Sequence, residues 1–162
     1  MKTTLITGGL GFIGSNICDS LLQKKYTNKC ILLDNFGGYM NPIKDSFVDF
    51  RKQRFPSLKN IIIERCDTSN YKALSSIINK YKPNYIYHTA ALPLAKVSNL
   101  NNEEAKISSV DSTVNIIDAI NLLKNSNQKY QFDRFVYFSS SMVYGDFKKS
   151  TVSEESEKNP KD

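Results

Sequence analysis

Histidine occurs once in this chain and cysteine three times, and no apolar run approaches the ~20 residues that a membrane-spanning helix needs. Each shortage closes off a class of function. His88 stands alone, and Cys18, Cys30 and Cys66 are widely spaced, so no metal-ligand pattern and no disulfide framework can be drawn. Odd in number and set in expected helix or strand, the cysteines read as small core residues in a reducing cytoplasm. After Lys2 the first apolar stretch is broken at once by Thr7-Gly8-Gly9, which is not the pattern of a secretory signal. Arginine is scarce. The net charge of +6 comes from scattered lysines, with short pairs only at Lys24-Lys25 and Lys148-Lys149, whereas a nucleic-acid footprint gathers its basic residues. Neither nucleic acid nor a membrane is expected as a partner.

What is there is an ordinary globular composition, 40% hydrophobic and 23% charged, in 162 residues, enough for one domain with a core that needs no staples. Apolar runs alternate with helical patterns. The runs predict strands at about 2–7, 30–34, 60–64, 84–88 and 134–139, and helices near 11–25, 43–54, 70–81 and 101–125. The strands are continuous in Val, Ile, Leu and Tyr without polar alternation, as in a parallel sheet covered on both faces. Asp67-Thr68-Ser69-Asn70 supplies cap residues before the third helix, and the long fourth helix sets Val110, Val114, Ile117 and Leu122 largely along one face. Right-handed crossovers then imply an α/β doubly wound parallel sheet, a Rossmann fold of strand order 3-2-1-4-5. Only Thr151 to Asp162 looks loop-like.

The stretch Thr7-Gly8-Gly9-Leu10-Gly11-Phe12-Ile13-Gly14 lies between the first strand and the first helix. Strand, glycine turn and helix in that order form a dinucleotide-binding fingerprint. Of Gly8, Gly11 and Gly14, one makes the turn, one admits a pyrophosphate against the backbone, and one lets helix and strand pack closely. The first N–H groups and the dipole of the helix then face the phosphates. A glycine-rich turn of some other α/β protein is the bland alternative. A phosphate-binding P-loop is excluded, because Ser15 is not preceded by Gly-Lys.

Ligands of such sheets bind at the carboxyl ends of the strands. The second strand ends at Asp34, about twenty residues past Gly14, where an acidic residue bonds the adenosine ribose. The third ends at Cys66-Asp67-Thr68, where a carboxylate can accept from the adenine amino group. After the fourth, His88-Thr89-Ala90-Ala91-Leu92 has small residues against which a cofactor can lie. The fifth ends in Phe138-Ser139-Ser140-Ser141-Met142-Val143-Tyr144-Gly145.

In this order the stretches resemble the extended short-chain dehydrogenase/reductase family, the NAD-dependent epimerases and dehydratases of nucleotide sugars, from Thr3 to Asp162. The resemblance implies NAD as cofactor, a nucleotide sugar as substrate and a homodimeric parent enzyme. It makes Phe12 and Ile13 backbone contacts to the pyrophosphate, and gives the ribose to Asp34 and Asn35 and the adenine to Asp67 and Thr68. Ala90, Ala91 and Leu92 would line the nicotinamide side. Ser140, four residues before Tyr144, matches the catalytic Ser/Thr; for Ser139 and Ser141 bonds to local backbone are expected instead. His88 is structural in this pattern. Asp34 would repel a 2′-phosphate and favours NAD over NADP. Ser108-Ser109 stands where the family usually has an Asn of Asn-x-x-Gly-Thr, and Ser141-Met142 lacks the Asp-Glu pair of sugar 4,6-dehydratases, which leans the reading towards an epimerase.

The family chemistry also needs Tyr-x-x-x-Lys on a helix, the lysine lowering the tyrosine pKa. The only literal match is Tyr144 to Lys148, and it is rejected because Tyr144 belongs to Val-Tyr-Gly and Gly145 argues against a helix. The resemblance places the true pair just beyond residue 162, past Asn159-Pro160. The expectation is therefore a cofactor-binding part that ends before the Tyr-x-x-x-Lys helix and the substrate domain, inactive alone, with the fifth strand as an open edge. A non-catalytic NAD-binding sensor or interaction module is the alternative.

Overall fold

Leu5 and Ile6 are neighbours in the chain and point to opposite sides of one sheet, and both are fully buried. The computed structural model describes residues 2–37, 55, 59–92, 102–147 and 150–161. Its strands are β1 (Thr3–Thr7), β2 (Lys29–Asp34), β3 (Ile61–Arg65), β4 (Tyr85–His88) and β5 (Arg134–Tyr137). All pairings are parallel and the order is β3-β2-β1-β4-β5. β1 lies at the centre, with Thr7 opposite Leu33 on one side and His88 on the other. The chain therefore leaves β1 at the point where the winding reverses, and a crevice opens there.

Strand residues alternate between two cores. Leu5, Ile31, Leu33 and Ile86 face α2 (Tyr71–Tyr81) and α4 (Ser112–Ser126), which contribute Leu74, Ile78, Ile116, Ala119, Ile120 and Leu123. Ile6, Cys30 and Leu32 face the other way, with Cys18 of α1 (Phe12–Gln23) and Phe55. Burial on both faces is the reason the strands carry no polar alternation. α2 starts where Asn70 Oδ1 accepts from Ala73 N at 3.1 Å and stops at Lys82, whose φ of 45° and following Pro83 end the helix. The three cysteines are free and buried; the Cys18 thiol, hydrogen-bonded to the Cys30 thiol and desolvated, is held firmly protonated. No helix among the described residues is long and apolar enough to cross a membrane.

The strand order agrees with the expectation, as do the elements that fall within the described residues, while three local features differ. The long helix is not regular: α3 (Asn102–Ala105) runs into a π-helical stretch (Lys106–Asp111) before α4. The stripe of Val110, Val114, Ile117 and Leu122 is exposed, and the core face is the neighbouring one led by Ile116 and Ile120. β5 ends at Tyr137, two residues short of the expected 139, because the chain turns into a 3-10 segment (Ser141–Tyr144). The helix expected over 43–54 lies outside the described residues.

Candidate functional site

The turn after β1 is built on close approach. Gly8 has φ of +63°, and its O accepts from Gly11 N at 3.0 Å. A Cβ on Gly14 would stand 2.4 Å from Gly8 O and 2.8 Å from Gly9 Cα, so the first turn of α1 packs against backbone with no room for a side chain. On Gly8 a Cβ would reach the Ala90 backbone at 3.0 Å, which brings the ends of β1 and β4 together. Gly9, which has no assigned role in the fingerprint, is equally constrained: its Cβ would meet Leu32 at 2.7 Å, and its N–H donates to Leu33 O. Gly11 is different, since a Cβ there would meet only Gly8 O at 3.1 Å. It is the N-cap of α1, offers no side-chain cap, and the first turn holds no acidic residue. No side chain of the chain's own first turn offsets the positive end of α1, which lies beside Phe12 (78% exposed) and Ile13.

Asp34, buried at the end of β2, latches this turn. Its Oδ2 accepts from Leu10 N at 3.0 Å and its Oδ1 from Phe36 N at 2.9 Å. A carboxylate has about four lone-pair sites, which is the acceptor chemistry that a ribose diol requires. Asn35 Nδ2 donates to Asp67 Oδ2 at 2.9 Å, and Asp67 Oδ1 accepts from the N–H and hydroxyl of Ser69. Burial works against the Asp67 charge, but the bonds from Asn35 and Ser69 outweigh it and hold its carboxyl below the ordinary value. Thr68 is buried beside it. The residues expected at the ribose and adenine thus form one connected network.

At the end of β4 the single histidine joins three elements. Ser112 Oγ gives its one proton to Ser108 O at 2.5 Å and can only accept from the ring, which puts the hydrogen of neutral His88 on Nε2, directed at Ser112 Oγ at 3.4 Å. Nδ1 therefore accepts from Thr7 Oγ1 at 2.7 Å, whose oxygen accepts from Ala90 N at 3.2 Å. Burial pushes the His88 pKa down to about 4, in keeping with this neutral tautomer. Its role is to cross-link β1, β4 and α4. The Ser112 N–H reaches back five residues to Ile107 O, as the π stretch requires, which leaves the Ser108 carbonyl to the hydroxyl.

Ala90 is half-buried against the glycine turn, and Ala91 and Leu92 are exposed at the crevice. Ser140 is one strand further out and exposed; its Oγ accepts from Met142 N at 3.2 Å and caps the 3-10 segment. The local-backbone bond expected for Ser139 and Ser141 is therefore found at Ser140. Tyr144 ends that 3-10 segment, followed by Gly145 with φ of 62°, so it does not lie on an α-helix; Lys148 lies outside the described residues. No cluster of metal-ligating side chains occurs among the described residues. Thr7, Ser112 and Asn115 were not singled out from the sequence. Ser112 had a signal: it is a polar residue heading the stripe of Ile116, Ala119 and Leu123.

An open parallel sheet of this order, with a glycine turn at its reversal point, defines a dinucleotide-binding α/β domain. The chain belongs to the NAD-dependent epimerase/dehydratase group of extended short-chain dehydrogenases/reductases: the family model described as GDP-mannose 4,6 dehydratase matches residues 5–162. It is 30% identical over 155 residues to UDP-glucose 4-epimerase of Caenorhabditis elegans, covering 94% of this chain and 42% of that protein. It is 29% identical over 145 residues to dTDP-D-glucose 4,6-dehydratase of Dictyostelium discoideum, covering 90% and 30%. Among solved structures, UDP-glucose 4-epimerase of Bifidobacterium longum, in complex with NAD+ and UDP, shares the fold with a TM-score of 0.76 at 22% identity, covering 98% of this chain and 43% of that one. The chain thus spans less than half the length of these relatives.

Proposed function

We propose that this chain is the NAD-binding portion of a nucleotide-sugar epimerase or dehydratase that transiently oxidises a sugar hydroxyl. The observation that carries the proposal is the uncapped α1 N-terminus over Gly8, Gly11 and Gly14, latched to β2 by Asp34. The cradle fits a dinucleotide: backbone packs tightly below Gly14, while a Cβ on Gly11 would meet a single atom, Gly8 O. The N–H groups of Phe12 and Ile13 hold the pyrophosphate, Asp34 and Asn35 the adenosine ribose, and Asp67 and Thr68 the adenine. Ala90, Ala91 and Leu92 line the nicotinamide side. When bound, NAD supplies the hydride acceptor. Ser140, whose oxygen already accepts from Met142 N, has its proton to donate to the sugar oxygen and so aligns the hydroxyl. Support comes from relatives that are named as nucleotide-sugar epimerases and dehydratases and from a structural neighbour that carries NAD+ and UDP. Ser141-Met142 after Ser140 favours epimerisation over dehydration. The reading includes a cytoplasmic setting and a homodimeric enzyme.

Among the described residues no tyrosine and lysine stand one turn apart on an α-helix, and Tyr144 sits in a 3-10 segment. The 162-residue chain accordingly binds NAD+ but converts no nucleotide sugar. Titration calorimetry with NAD+ and NADP+ tests the first part: binding of NAD+, with NADP+ weaker by about tenfold or more, is expected. No heat with either dinucleotide overturns the proposal, and preference for NADP+ transfers the chain to NADPH-linked reductases. Incubation with UDP-glucose and NAD+ tests the second part, and any epimerised sugar from this polypeptide overturns it.

A further inference from the structure

Asn115, in the first turn of α4, reaches the loop after β3. Its Nδ2 donates to two consecutive main-chain oxygens, Thr68 O and Ser69 O, each at 3.0 Å. Two successive carbonyls can converge on one amide because this loop is a tight turn, with Asn70 N on Asp67 O and Ser69 N on Asp67 Oδ1. The same turn aims the Asp67 carboxylate the other way, onto Asn35. The loop is therefore held from both sides by side-chain amides, Asn35 after β2 and Asn115 on α4. One turn earlier on the same helix, Ser112 meets His88. A single helical turn thus touches the strand ends on both sides of the crevice.

We infer that Asn115 is a positioning residue for the adenine end of the dinucleotide site, acting through the carbonyls of Thr68 and Ser69 on the placement of Asp67. The inference rests on the NAD reading above. Asn115 does not touch the cofactor; it sets the distance between the Asp67 carboxylate and Asn35, across which the purine edge is read. A donor is required because both partners are acceptors, and the amide nitrogen has one hydrogen for each. Replacement by Asp keeps the shape but sets a carboxylate against two carbonyl oxygens, and replacement by Ala leaves both oxygens without this donor.

The test compares NAD+ with nicotinamide hypoxanthine dinucleotide, in which the purine amino group is replaced by oxygen, by calorimetry on the 162-residue chain. The unsubstituted chain is expected to prefer NAD+ by about tenfold. Asn115→Asp and Asn115→Ala are each expected to bring that preference to near unity, and Asn115→Gln, which keeps the donor, to restore most of it. Circular dichroism establishes that each variant is folded, and Asn115→Ala serves if Asn115→Asp does not fold. A purely structural role weakens both ligands equally and leaves the ratio intact; that result in a folded variant overturns this inference while the NAD reading stands. An unsubstituted chain that binds NAD+ without preferring it also overturns it, and one that binds neither ligand overturns both.

Discussion

The two ends of the crevice are held in different ways. On the β2–β3 side, backbone and side chain are fastened reciprocally: Leu10 N and Phe36 N on Asp34, Asn35 on Asp67, Asn115 on Thr68 and Ser69. On the β5 side the side chains stand clear. Tyr137, Phe138, Met142 and Phe147 are each at least 40% exposed, as are Val110, Val114 and Ile117 on the neighbouring helix. On the proposed reading the two tasks separate physically: holding the nucleotide falls to the latched side close to the chain reversal at β1, and the sugar chemistry to the exposed groups around Ser140.

The contrast can be broken most sharply at the glycine turn. Gly14→Ala places a methyl 2.4 Å from Gly8 O and is expected to cost about 4 kcal/mol or prevent folding. Gly11→Ala meets only Gly8 O, at 3.1 Å, and should cost about 1 kcal/mol while still weakening NAD+ binding about tenfold. Urea unfolding and calorimetry separate these outcomes; equal stability of the two variants would remove the close-approach argument.

A smaller contrast lies within α4. Ile116→Ala is expected to lose about 3 kcal/mol as a fully buried side chain, and Ile117→Ala less than about 0.5 kcal/mol. A reversed order would mean that the helix docks by its other face.

The smallest effect is pH-dependent. Burial holds folded His88 near pKa 4 against 6.5 in the unfolded chain, so between these values the unfolded chain binds the proton that the folded chain refuses. The stability from neutral His88 is complete above about pH 6.5 and is lost as pH falls towards 4, amounting to about 2 kcal/mol between pH 7 and pH 5. In His88→Gln that share of the acid destabilisation should vanish. An unchanged slope in the variant would show that His88 is not held neutral by burial.

Much of the binding side was legible in the residues themselves. The glycine spacing, Asp34 at a strand end and the cap at Asn70 are local signals, because turns, caps and strand exits need particular residue types at particular positions. The links that complete the site were not legible. Thr7 to His88 spans 81 positions and Asn115 to Thr68 spans 47, and no local pattern announces which polar side chain will meet which distant backbone. Ser140 was assigned by the resemblance, as the match to the family's Ser/Thr four residues before Tyr144, but its bond to Met142 N emerged only once the chain was seen to turn into a 3-10 segment.

By itself the sequence determined the strand order, the parallel pairing and the position of the glycine turn, since apolar runs, right-handed crossovers and turn chemistry act over short stretches of chain. Only the tertiary structure decided which side of the long helix is core. That helix carries two apolar stripes, Val110-Val114-Ile117 and Ile116-Ala119-Ile120-Leu123, and helical periodicity cannot rank them. Docking against β1, β4 and α2 buries the second, and the π stretch, with Ser112 reaching His88, sets where each stripe falls.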